Sequence, residues 1–589
     1  MPTALLAAAI LAVPLAASAD AQTNVSGVRL GGLGRAVVTN DYLSGDVLAG
    51  DTTNDRRTAG GYSLVDLAVE AQPNADTEAR VVLRVRTDLG GFFGDGYRFG
   101  IRELYVRGTI ADAITYSVGD MDLELTPYTV HSTPETAVNE AEVFALRRDI
   151  VRYETFDFGA ETWRLQGLRS GVGLTFARGI RRAQIDAFLS RTSPTTGTVP
   201  DRLLGGGRAA VEVSDALQLG ATFVDLFDLE GTGSADGLAN PVVTGDLRAA
   251  LATPLGEVGV RAEAGASRAT FGDESAVPVR EDYFVDGGVF ATVAGIALAA
   301  SYRDVGPEFY SAAAQTRRLP YGQAPELFST ARGFGGTREI TPFDVLTQAE
   351  LYTNRISPRL AAFDPRLDPA EPYGQATPNR RGVSLRAGYG APSLDPEAPL
   401  APVELTARLD LLREIVGEGT PETRRFAVAG GTADVRLDRL GLIPGVLSLG
   451  LKHMQTTRDD APFSVTRPDG AVAAVDSGAV DLTSTLVNVG LTAPLVGTLD
   501  GLLGVKVLAA RGGEFRALRD DTTDPYAITG FEALAYDGAQ TLLGAGLRYR
   551  IRETTSLTVE GALLRVDDGV RAAGDYDIAN LFLHYVLTF

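Results

Sequence analysis

The stretch Asp575-Tyr-Asp-Ile-Ala-Asn-Leu-Phe-Leu-His-Tyr-Val-Leu-Thr-Phe589 decides how the rest of the chain is read. Leu581, Leu583, Tyr585, Leu587 and Phe589 recur there with a strict period of two. In an extended strand such residues share one face, because successive side chains point to opposite sides. The chain therefore ends on an aromatic that belongs to the apolar face of its last strand.

The other end carries an export pattern. Residues 4–19 are apolar or small, and polar sequence begins at Asp20. Ala17-Ser18-Ala19 fits a small-x-small cleavage site, and Ala19-Asp20-Ala21 is a second one. We expect a signal peptide over 1–19, cleaved after 19 or 21, although no Lys or Arg precedes its apolar core. No later run reaches the roughly 18 consecutive apolar residues of a membrane-crossing helix. An exported chain of this kind is periplasmic, secreted or an outer-membrane barrel.

The C-terminal pattern resembles the signal of bacterial outer-membrane β-barrel proteins, whose last strand ends in Phe. The resemblance identifies a porin-like class and no specific family. It implies an all-β fold: a single transmembrane antiparallel up-and-down β-barrel over 26–589, in the outer membrane of a Gram-negative-type bacterium. It also implies contact with outer-membrane lipid, and a barrel-assembly machinery that reads Leu581, Leu583, Tyr585, Leu587 and Phe589.

Composition agrees with export and with a barrel. The 589 residues contain no cysteine, which removes disulfides, thiolate metal sites and cysteine nucleophiles. Hydrophobic residues make up 45% of the chain, too many for disorder. The net charge of −21 argues against nucleic-acid binding, which needs a basic face. Mean hydropathy is +0.04, as expected if half of each strand faces lipid and half faces water. Aromatics are only 7%, so Leu, Val and Ala would carry most of the lipid-facing band.

Candidate strands lie near 28–38, 62–72, 79–88, 97–109, 114–123, 163–177, 181–191, 207–214, 216–227, 242–252 and 257–268. They continue near 284–293, 295–304, 382–390, 402–413, 424–438, 445–457, 480–492, 502–512, 540–551, 555–566 and 575–589, which makes 22. Short and long connections alternate, as short periplasmic turns and long extracellular loops do in such barrels. The long ones include 39–61, 124–162, 305–381, 458–479 and 513–539. The stretch Thr341–Arg355 could hide another strand pair and raise the number to 24. A connection as long as 305–381 is uncommon unless functional, and we expect it to fold over or into the barrel mouth as a constriction.

Alternation also assigns faces. Val81, Leu83 and Val85 share one side of their strand, with Arg80, Arg84 and Arg86 on the other. Glu404, Arg408 and Asp410 oppose Val403, Leu405, Leu409 and Leu411. Asp434, Arg436 and Asp438 alternate in the same way, as do Arg548 and Arg550. An arginine facing lipid near the midplane costs about 2–4 kcal/mol, so these charges are expected to line the lumen. There they serve as cross-strand ion pairs that stiffen the wall, as a lining that shapes solute passage, or as both. The basic residues are 52 arginines and two lysines, Lys452 and Lys506, and guanidinium can fork to two carboxylates in a crowded interior.

Acidic clusters fall in the expected outer loops: Asp459-Asp460, Asp520-Asp521 with Asp524, and Asp567-Asp568 with Asp575 and Asp577. Oxygen-rich loops can hold Ca²⁺, but none has a calcium-loop spacing, so solvated surface charge is the stronger reading and no cofactor is expected. The three histidines, His131, His453 and His584, are followed two residues on by Thr133, Gln455 and Val586. The His-x-Ser motif of outer-membrane phospholipases is therefore missing, and no enzyme activity is expected. The sequence points to a porin-like channel or uptake barrel for small hydrophilic solutes. The alternative is a structural or anchoring barrel that binds a partner protein through its acidic loops. Strand-like sequence begins near Val28, which leaves no room for the N-terminal plug of TonB-dependent transporters.

Overall fold

The computed structural model describes residues 27–45, 57–88, 97–134, 140–155, 163–193, 200–232, 237–271, 279–317, 370–371, 374–390, 401–417, 420–466, 472–476, 478–520, 524–570 and 575–589. The expected signal peptide and Thr341–Arg355 lie outside them.

The first strands are β1 (Val28–Gly45), β2 (Arg57–Asn74), β3 (Thr77–Asp88), β4 (Tyr97–Ile110), β5 (Ile114–Leu123) and a short β6 (His131–Pro134). One helix, α1 (Glu142–Thr155), follows. Next come β7 (Trp163–Thr175), β8 (Arg182–Ser193), β9 (Arg202–Ser214), β10 (Leu217–Asp228), β11 (Leu238–Thr253), β12 (Gly256–Phe271), β13 (Arg280–Val293), β14 (Ile296–Val305) and a short β15 (Ala314–Arg317). The chain continues with β16 (Arg380–Tyr389), β17 (Val403–Arg413), β18 (Arg425–Arg436), β19 (Val446–Arg458), and the short pair β20 (Pro462–Thr466) and β21 (Val472–Asp476). It ends with β22 (Val480–Val496), β23 (Leu499–Asp520), β24 (Asp524–Arg552), β25 (Thr555–Asp568) and β26 (Tyr576–Thr588).

All but the four short strands join one 22-stranded antiparallel sheet. It closes where β1 pairs with β26, from Leu33↔Thr588 to Gly45↔Tyr576. At the seam Gly32 donates its N–H to the Phe589 carbonyl (2.8 Å), and Phe589 donates back to Gly32 (3.1 Å). Closure leaves the barrel wall without a free edge strand. Each of the 22 expected strands corresponds to one wall strand. The 24-strand alternative is excluded, because β14 pairs directly with β16 along its whole length.

The outward face is apolar. Leu83, Ile101, Val243, Leu298, Leu385, Leu451, Leu503, Leu547 and Leu581 are all exposed. Aromatics flank this band sparsely: Tyr389, Tyr549 and Phe589 toward the short turns, Phe99, Tyr283 and Tyr302 toward the long loops. Among the described residues no helix is long and apolar enough to cross a membrane. Several of the short turns are tight. Between β13 and β14 only Ala294 (φ 50°) and Gly295 (φ 79°) reverse the chain, and both occupy the left-handed region that a two-residue type I′ hairpin requires.

Two connections differ from expectation. The stretch 513–539 is largely strand, since β23 and β24 run on as a paired ribbon beyond the rest of the wall. The stretch 458–479 carries the β20–β21 hairpin.

Candidate functional site

Two of the long connections fold inward. The helix α1 meets the wall at Gly490, Gly504 and Gly544 on β22, β23 and β24, where an added Cβ would fall 2.5–2.8 Å from Ala141, Val143 or Phe144. These glycines are direct partners across three strands, Gly490↔Gly504↔Gly544. They alternate with Val489, Leu503 and Leu543 of the exposed outer face. The helix is therefore inside the barrel, and the glycine row is a groove in the inner wall that admits its first turn. Leu146 and Ile150 continue the contact onto Val37, Tyr62 and Phe582, on β1, β2 and β26.

Charge pins both ends of α1. Glu140 pairs with Lys506, and Glu142 with Arg548. Thr492 donates a further bond to Glu142 (3.0 Å). A carboxylate in the first turn also favours the positive end of the helix dipole. At the other end the Tyr153 hydroxyl donates to Asp66 (2.7 Å), a carboxylate also held by Arg84 (2.7 Å). Arg102 lies over the Tyr153 ring at 3.9 Å and donates to the Tyr153 carbonyl. Burial and the bond to Asp66 push the Tyr153 hydroxyl up to about 12.

The second inward element joins 124–134 to 306–317. The strands β6 and β15 pair in parallel, His131↔Ala314 to Pro134↔Arg317. Tyr128 stacks on Phe284 of β13 at 3.8 Å and donates to Asp286 (2.7 Å). Phe309 packs edge-on against Phe284 at 5.1 Å. Asn240 of β11 clamps the main chain, donating to Tyr310 (3.0 Å) and Arg268 (3.1 Å) and accepting from Ala312 (3.0 Å). Ser267 accepts from the Tyr310 N–H (2.8 Å). The underlying floor is apolar and includes Leu165, Phe188, Leu204, Val224 and Leu226. These are inner-face residues, since Phe223 beside Val224 is on the exposed outer face. His131, on β6, lies 2.7 Å from Glu124.

A third anchor closes the same region. Glu371, just before β16, pairs with Arg303 of β14 and Arg408 of β17. Arg303 also donates to Ser384 (2.8 Å). Asp410 is fully buried and accepts from Arg386 (2.7 Å) and from Arg408. Asn379 accepts the N–H groups of Ile415 and Val416, both at 2.9 Å.

The remaining charges form pairs along the wall. Arg80 bridges Glu70 (2.7 Å) and Glu103 (3.1 Å). Arg86 lies 4.0 Å over the Tyr62 ring. Arg436 pairs with Glu404 (2.7 Å), and Asp434 accepts from Ser448 (2.5 Å). Arg548 and Arg550 share Asp500, at 3.3 and 2.9 Å. Asp438 departs from the expected alternation: it lies exposed in a 3₁₀ turn, Asp438–Leu440, after β18 has ended. Toward the short turns a cavity of about 540 Å³ is lined by Glu78, Arg107, Arg169, Gln184 and Asp186 among others.

Residue-by-residue reading missed Tyr153, Asn240, Arg303 and Glu371. Their partners are 87, 70, 68 and 68 residues away along the chain, and the inward folding of the long connections brings them together. Of the other histidines, His453 faces outward beside Thr485 (2.8 Å), and His584 faces inward beside Phe582 (ring centroids 6.0 Å apart). Among the acidic clusters, Asp459 pairs with Arg425 (3.0 Å) and Asp577 with Arg565 (3.1 Å). Among the described residues no group of three His, Asp or Glu side chains is placed to hold a metal ion.

A closed 22-stranded wall, apolar outside and charged inside, with its own connections folded into the lumen, defines a bacterial outer-membrane type of β-barrel. No protein-family model matches the chain, and no curated protein does. Among solved structures it is similar to OccK8 (OprE) of Pseudomonas aeruginosa, at 11% identity and a TM-score of 0.34, covering 95% of this chain and 98% of that one. It is similar to OpdK of the same organism, a structure with vanillate, at 11% and 0.32 over 95% and 99%. The outer-membrane channel DcaP of Acinetobacter baumannii matches at 10% and 0.25 over 96% and 99%. Likeness at this level says nothing of solute or assembly.

Proposed function

We propose that the protein is a diffusion or uptake channel of the Gram-negative outer membrane for small hydrophilic solutes. The observation that carries this reading is the state of the inner wall. Arg386, paired with the buried inner-face Asp410, keeps 39% of its side-chain surface accessible inside a closed wall. Charged groups so placed need water beside them, because an ion stripped of solvent without full pairing is expensive. A wall of 22 strands encloses more space than its own side chains fill. The inward segments lie against the wall around α1 and the Tyr128–Phe284–Phe309 cluster, and so narrow the space without needing a separate plug domain.

Reconstitution of the purified barrel in planar bilayers tests the reading. Stepwise ionic currents are expected, together with swelling of proteoliposomes in small sugars or amino acids. Silent bilayers and impermeable liposomes would exclude it. Fractionation of the producing cell should place the chain with outer-membrane lipid.

A further inference from the structure

The outer face around β16 and β17 carries two hollows. A groove of about 490 Å³ runs from β12 across β13, β14 and β16 to β17, and its lining includes Ala300, Ala387 and Ala407 with Leu298, Leu385 and Leu409. A second hollow of about 430 Å³ lies toward the long loops on β14, β16, β17 and β18, at Tyr302, Val383, Leu411 and Ala427. It also takes in Arg381, Arg413 and Arg425. These three arginines are direct cross-strand partners, Arg381↔Arg413↔Arg425. They share the outward face of the exposed Val383 and Leu411.

Like charges placed directly opposite one another destabilise a sheet unless something offsets them. Asp304 holds Arg381 (2.7 Å) at one end of the row, and Asp459 holds Arg425 (3.0 Å) at the other. Arg413, in the middle, makes no ion pair among the described residues, and its side chain is exposed. The row therefore keeps a net positive charge, with a guanidinium fork open between two others, at the head of an apolar groove.

We propose that this face binds a phosphorylated, multiply acylated lipid of the outer leaflet. Its acyl chains lie in the alanine-lined groove, and its phosphate accepts from Arg413 with Arg381 and Arg425 on either side. Charge complementarity selects the occupant. A second copy of this chain would bring the same positive row against itself, whereas phosphate matches the planar fork of guanidinium. The proposal rests on the barrel's standing in a membrane and not on its conducting solute, so a silent bilayer leaves it unaffected.

Native mass spectrometry of the full-length barrel in detergent tests it. The ligands are diphosphorylated hexa-acyl lipid A, the same lipid with its phosphates removed, and inorganic phosphate. The wild type should retain lipid A about tenfold more tightly than the dephosphorylated form. The triple variant Arg381→Gln, Arg413→Gln, Arg425→Gln should abolish that preference, and Arg413→Lys should keep part of it. Ala407→Phe, which fills the groove and leaves the charge intact, should weaken both lipids equally. Equal retention of the two lipids by the wild type would overturn the proposal. So would full displacement by inorganic phosphate, or a two-chain species that excludes lipid and is lost in Ala407→Phe. If the triple variant fails to fold, as judged by heat-modifiable gel migration, the wild-type comparison and Ala407→Phe still decide.

Discussion

At the scale of single residues, the inward segments are held by polar side chains whose loss leaves buried partners unmatched. Asn240 is 2% exposed and satisfies three main-chain groups, two of them on 310–312. Asn240→Ala strands the Tyr310 carbonyl and the Ala312 N–H, at a cost of about 1–3 kcal/mol each if water cannot reach them. Hydrogen exchange over 306–317 should accelerate in that variant while the wall stays protected. His131 supplies a pH dependence. Burial holds it below its ordinary value, against the opposing pull of Glu124. A ring kept neutral in the folded segment contributes stability that is present above about pH 6.5 and is lost as pH falls through the lower folded value. Protection in 124–134, taken relative to the intrinsic exchange rate at each pH, should therefore fall between pH 7 and 5, and His131→Gln should remove most of that fall.

At the scale of elements, the wall strands were legible in the sequence and the inward elements were not. Leu581 to Phe589, or Arg80 to Arg86, show their faces by period two alone, because lipid on one side and water on the other impose it. The seat of α1 is written differently. Gly490, Gly504 and Gly544 are 14 and 40 residues apart, and their relation exists only in the register of β22, β23 and β24. The alternation of Asp434, Arg436 and Asp438 misled at its last member because Asp438 begins a turn. Nothing in a periodicity marks where the last main-chain partner ends. Two outcomes belong to this scale. Gly504→Phe places a ring where Val143, Ala141 and Phe144 now sit. It should unseat α1, with faster tryptic cleavage at Arg147 and Arg148 and no loss of barrel closure. Deleting Phe589 removes the paired bonds to Gly32 at the seam. It should lower the yield of heat-modifiable barrel, the more so if an assembly machinery reads this residue.

At the scale of the whole molecule, the account is one closed wall with an interior narrowed from two sides. The helix α1 lies along β22 to β24 and reaches β1 and β2, while 124–134 and 306–317 cover β7 to β13. On the proposed channel reading, passage depends on segments that are held by buried polar contacts and ion pairs rather than by the wall itself. The most direct test is single-channel recording of the wild type beside Gly504→Phe. The account predicts stepwise currents from both and a larger unit conductance from the variant, whose helix no longer fits its groove. Silent bilayers from the wild type, or equal conductance in the two despite cleavage showing α1 released, would contradict it.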